Sequence, residues 1–163
     1  MRIVIIGLVG ALAVGCSAAI GAPDSGGTPL TVTRLRSDQF SFTYYSQLRQ
    51  SQRLVIRDNS AWQAAWASVF PSGAPIPAPP NVDFSKEMVV LAALGERSTG
   101  GFGILVDSAT ANTGDATIWI STFAPGSRCV TTQAFSQPVD IAKVTRTDAT
   151  VHFTDVPRVN DCP

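Results

Sequence analysis

The sequence predicts an α+β protein: a mostly antiparallel β-sheet, sandwich- or barrel-like, with one amphipathic helix packed on it, behind an N-terminal signal and a flexible tether. Three observations carry that expectation. A single stretch, residues 60–70, places large apolar residues at helical spacing. From Met88 onward, apolar and alternating runs of strand length follow one another between Gly, Asn, Asp and Thr turns. The first sixteen residues are an apolar leader ending at a cysteine, and the next fifteen are dominated by Ala, Gly, Ser, Pro and Thr.

The leader sets the compartment. Met1 and Arg2 precede an uncharged run over residues 3–15, and Cys16 follows. A spanning helix needs roughly 20 apolar residues, so this run has the length of a secretion signal. Ala13, Val14, Gly15 and Cys16 resemble a lipobox, whose processing makes Cys16 the lipidated first residue; Ala13 stands where Leu is usual, and ordinary cleavage near Ala22 is the alternative. Either route puts the mature domain outside the cytoplasm, in a bacterial cell envelope. The organisation expected is residues 1–16 signal, 17–31 flexible linker and 32–163 one globular domain, long enough to close a proper core.

Charge and cysteine usage narrow the function. The chain has 12 basic and 12 acidic residues, and no basic block or stripe, which argues against a nucleic-acid partner. If Cys16 carries lipid, Cys129 and Cys162 remain, and two cysteines in an oxidising space most simply pair. Closing that segment of about 33 residues restricts the unfolded chain by roughly 3–4 kcal/mol on the loop-entropy model. One histidine and no Cys-x-x-Cys give no basis for a metal, and nothing implies a cofactor.

Ordered structure is expected to begin with a strand near residues 32–42, where Val32, Phe40 and Phe42 alternate. Residues 52–57, centred on Leu54, Val55 and Ile56, read as a short buried strand bounded by Asp58 and Asn59. The helix follows, with Ser60 and Gln63 spaced as a capping box and Trp62, Trp66, Val69 and Phe70 on one face until Pro71 ends it. That aromatic stripe is either core or a ligand platform, and burial against a sheet is the usual fate. Five prolines in residues 71–80 make a surface loop, a spacer or a docking motif. Residues 88–94 suit a central strand; 102–106 and 117–123 form a hairpin across Asn112, Thr113 and Gly114; 138–144 and 150–156 form a further pair joined by Thr147, Asp148 and Ala149.

Catalytic chemistry finds few footholds. His152 is the only histidine, between Val151 and Phe153 on an expected strand, and alternation turns it outward. Asp155 and several serines could join it, but there is no Gly-x-Ser-x-Gly elbow. Asp83, Glu87, Glu96 and Asp107 have plain roles at turns and strand ends, and Glu96 with Arg97 reads as a surface ion pair. Neither a P-loop nor a dinucleotide glycine fingerprint is present.

The segment Ser98, Thr99, Gly100, Gly101, Phe102, Gly103 sets three glycines beside the junction of two strong strands. Glycine there permits positive φ, a bulge or close backbone approach, and a tight hairpin turn is the simplest account. Together with residues 82–90, with Gly95, Glu96 and Arg97, and with Pro125 to Cys129 and Gln137, Pro138 and Val139 later on, this segment resembles the PrcB C-terminal domain family, named for a subunit of a protease complex. Phe102 stands where members often carry Tyr.

The resemblance implies a secreted or lipid-anchored accessory domain that associates with an extracellular protease and supports its stability, and that is not itself an enzyme. The expected partner surface is Thr99, Gly100, Gly101, Phe102 and Pro125, with the proline loop and the turn over residues 123–127 beside it. A small-ligand or cell-wall-glycan-binding domain, stacking a sugar on Trp62, Trp66 or Trp119, is the alternative reading, and a hydrolase built on His152 is a third.

Overall fold

A computed structural model describes residues 26–35 and 45–162. Cys16, the signal and residues 17–25 of the tether lie outside the described residues, as do Phe40 and Phe42. Among the described residues, eight strands and one helix follow in the order β1 (Thr28–Leu30), β2 (Val32–Arg34), β3 (Gln52–Ile56), α1 (Asn59–Ser68), β4 (Glu87–Ala93), β5 (Gly103–Ala111), β6 (Asp115–Pro125), β7 (Val139–Thr145) and β8 (Thr150–Asn160). They form a two-sheet sandwich with orders β1-β5-β6-β8 and β2-β7-β4-β3. The helix lies on the second sheet, giving three layers.

The run that reads as a central strand is buried on both faces. Residues Met88 to Ala93 are fully inaccessible. Their alternation divides two cores: Val89, Leu91 and Ala93 meet Trp62, Trp66 and Val69 of the helix layer, while Met88, Val90 and Ala92 meet Ile104, Val106, Ile118 and Ile120 of the opposite sheet. A side-chain period of two is what lets one strand serve both. Burying each of these large side chains contributes about 1.5–3 kcal/mol by transfer.

Helix α1 forms as its spacing predicts but is capped one turn-residue pair earlier. Asp58, not Ser60, is the N-cap, and its carboxylate accepts the Ala61 N–H at 2.8 Å. Trp62, Trp66 and Phe70 stack edge to face with centroids 5.3 and 5.4 Å apart. Both buried indoles then anchor the proline loop: Trp62 Nε1 donates to Pro80 O at 3.0 Å and Trp66 Nε1 to Pro77 O at 2.8 Å. The loop is therefore the cover of the helix layer, and its proline carbonyls accept the indole N–H groups of both tryptophans. Asp83 closes the turn into β4; the hydroxyl and N–H of Ser85 hold its carboxyl below the ordinary carboxylate range.

Several expectations are corrected. The tether does not run to residue 31, because Thr28–Leu30 pairs with β5 as an edge strand. Gln52–Ile56 is a strand, but an edge one, with only Ile56 buried. The chain from β4 to β5 is a crossover between sheets, so the glycine segment makes no hairpin. Strands β7 and β8 do not pair either: β7 joins β4 and β2, while β8 lies parallel to β6. A short polar connection reads as a hairpin in sequence, yet here residues 146–149 cross the sandwich. The β5–β6 hairpin is present, with Gly114 at φ +92° in its turn.

Polar side chains close the sandwich edges. Arg53 of β3 reaches Asp155 of β8 with Nη2–Oδ2 at 2.8 Å and Nε–Oδ1 at 3.3 Å. Asp140 of β7 accepts the Val106 N–H at 2.7 Å, beside the irregularity in β5 at Asp107. A bulge leaves backbone groups without a ladder partner, and here a carboxylate from the facing sheet supplies one.

Candidate functional site

The crossover from β4 to β5 runs beside the connection from β6 to β7, and the two are knitted together. Arg97 and Ser136 exchange backbone hydrogen bonds at 2.8 and 3.0 Å, and Gly100 N donates to Thr132 O at 3.0 Å. Ser136, itself buried, donates its hydroxyl to Thr99 O at 2.8 Å. A third segment joins from before β3, where Glu96 N donates to Arg49 O at 3.0 Å and Ser46 N to Gln137 O at 3.1 Å.

This packing explains the glycines. Gly101 has φ +86°, and a Cβ there would lie 3.0 Å from Pro125 Cβ and 3.1 Å from Thr131 Cγ2. A Cβ on Gly100 would collide with the Thr132 hydroxyl. Two glycines in succession thus let the crossover pass flush against the neighbouring loop. The structure places Thr99, Gly100, Gly101 and Pro125 together at this end of the sandwich. Phe102 differs in kind: it is half-buried, packs on the sandwich core and lies under the Arg97 guanidinium at 5.8 Å. Glu96 turns away from Arg97, facing Arg49 at 3.6 Å and accepting from Gln137 Nε2 at 3.0 Å.

The disulfide completes the region. Cys129 and Cys162 are bonded, with Cα atoms 5.0 Å apart. The bond ties the β6–β7 connection to the chain just beyond β8, and Gly126 N donates to Asn160 O at 2.9 Å beside it. Two shallow grooves of about 240 and 270 Å³ flank Gly101; Phe102, Leu105 and Phe123 line one, Pro125, Thr131 and the disulfide the other, and Asn160 borders both. Each is smaller than the roughly 300–1,000 Å³ of an ordinary small-molecule pocket.

Sequence reasoning missed the residues that project from this platform. Val130 is fully exposed and Phe135 is 62 % exposed, on the stapled loop between the disulfide and Ser136. Neither falls in a periodic run, so no pattern marks it; the signal was an apolar residue in an otherwise polar connection. The proline loop contributes to neither groove.

The alternative sites are also placed. His152 lies on the outer face of its sheet, 59 % exposed, with Nε2 2.9 Å from Asp115 Oδ1 and no serine hydroxyl among its hydrogen-bond partners. Trp62, Trp66 and Trp119 are all buried, so none offers a ring for stacking. Asp107, Ser121 and Arg158 form a closed polar group on the same sheet, in which Ser121 donates to Asp107 and accepts from Arg158, both at 2.9 Å. Ser121 is 1 % exposed, its hydroxyl enclosed between that carboxylate and the guanidinium.

Residues 88–145 match the family model described as PrcB C-terminal. Over that span the chain is similar to the PrcB C-terminal family. The matched span contains β4 from Met88, the glycine crossover, β5, β6, the stapled loop and β7, hence both strands of the central buried pair, while Ser46, Arg49, Asn160 and Cys162 of the knitted region lie outside it. No curated protein and no solved structure matches the chain. No helix among the described residues is long and apolar enough to cross a membrane.

Proposed function

We propose that this protein is a lipid-anchored accessory module of the bacterial cell envelope, held there through Cys16, which contacts a secreted or surface protease with its disulfide-stapled end and stabilises it without performing catalysis. The PrcB C-terminal match supports an accessory role in a protease complex. The observation that carries the contact surface is the pairing of exposed apolar side chains, Val130 and Phe135, with a loop fixed on both sides by the Arg97–Ser136 bridge and the disulfide. A rigid loop loses little further freedom on binding, so its apolar anchors convert to affinity efficiently. Gly101 and Pro125 shape the platform, and the flanking grooves have the size of single inserted side chains rather than of a small ligand.

The test uses the full chain. Immobilised parent protein should retain protease activity from its own envelope extract, and the double variant Val130→Ser/Phe135→Ser should retain about tenfold less or lower still, because central aromatic anchors are worth about 2 kcal/mol or more. Its melting temperature should match the parent's. Equal retention by both proteins would reject the surface.

A further inference from the structure

We propose that β8 pairs with β8 of a second copy of this chain, antiparallel and centred on Phe153, so that two four-stranded sheets become one of eight strands. Strand β8 has eleven residues and forms the edge of its sheet, paired on one side only. Thr150 N donates to Gly114 O and Asn160 O accepts from Gly126 N, so the even-numbered residues direct their backbone groups at β6. Successive residues alternate sides. The odd-numbered residues therefore face outward, and no strand among the described residues meets them.

The free edge is short and bounded. Val151, Phe153 and Asp155 each present an N–H and a C=O, and the next outward residue is Pro157, which has no N–H to give. Pairing such an edge with itself requires a two-fold axis, which makes the contact isologous. With the axis at Phe153, that residue meets its own copy, Val151 meets the second copy's Asp155, and all three exchange both hydrogen bonds. Other registers fail. An axis at Thr154 sets Val151 against Pro157, one at Asp155 opposes two carboxylates, and one at His152 leaves Asp155 facing Ala149, before the strand begins.

The side chains agree with that register. Asp155 already has its carboxylate on Arg53, so its charge is engaged within its own sandwich while its backbone remains available. Phe153 packs on the core and is only partly buried, and its symmetry mate would cover more of it. Proline and inward charge usually protect an edge from open-ended pairing. Here they confine it to one closed pair.

Site-directed cross-linking tests the register, and mass in solution tests the pairing, both on the full chain in detergent. Directly opposed residues of a hydrogen-bonded pair have Cα atoms about 5.5 Å apart, within disulfide range. Phe153→Cys should form a linked dimer above the background of the unsubstituted chain, whereas Val151→Cys, whose copies would sit about 13 Å apart, should not. The parent should sediment at twice the mass of one chain. Val151→Pro removes an N–H that has no partner among the described residues and should raise the dimer dissociation constant about tenfold or more; because Val151 also packs on the core, circular dichroism checks that the variant keeps the parent's fold. A monomeric parent would overturn the proposal even where Phe153→Cys fails to fold. So would linkage at 151 as ready as at 153, or a Val151→Pro variant as dimeric as the parent.

Discussion

Gly101 shows how one residue type can be read correctly for its conformation and incompletely for its purpose. Its place after an apolar strand suggests a tight turn; its φ of +86° fits that suggestion, but the element it serves is a crossover pressed against Pro125 and Thr131. Gly101→Ala should therefore lower unfolding free energy by about 1–3 kcal/mol, read by urea titration, since strain and contact both oppose a Cβ. An unchanged midpoint would mean that the loop yields freely. Phe102, by contrast, announces itself in sequence as an aromatic beside glycines, and only tertiary packing reveals that it faces the core. Val130 and Phe135 were illegible for the opposite reason: exposure is a property of the folded surface, and no local spacing encodes it.

At the level of elements, what could be read depended on periodicity and what could not depended on partner choice. The helix face, the doubly buried β4 and the β5–β6 hairpin follow from spacings of 3.6 and 2 and from a glycine turn. The pairing of β8 with β6 does not, because it is parallel and joins residues far apart in the chain, and the four residues before β8 look like any hairpin turn. The stapled loop is an element of this second kind, defined by Cys129 and Cys162 rather than by its own propensity. Replacing both cysteines with serine should cost about 2–4 kcal/mol of stability and speed proteolysis at residues 127–135. If stability falls but the loop resists cleavage as before, the bridge to Ser136 alone fixes it.

Over the whole molecule, the sandwich separates tasks by layer. The helix and its proline cover seal one face, the Arg53–Asp155 pair closes the side where β3 and β8 face each other, and the knitted crossovers build the platform at one end. The fold class was accessible because burial patterns along strands report how many faces are covered; the platform was accessible only in part, as a cluster of glycines whose neighbour, the stapled loop, lies some thirty residues on. The account depends on that end being where another protein sits. Amide hydrogen exchange of the full chain, alone and bound to a protein captured from its envelope extract, tests this most directly: slowed exchange should concentrate in residues 98–102 and 127–135. Unchanged exchange there, with protection on α1 and the proline loop instead, would contradict it.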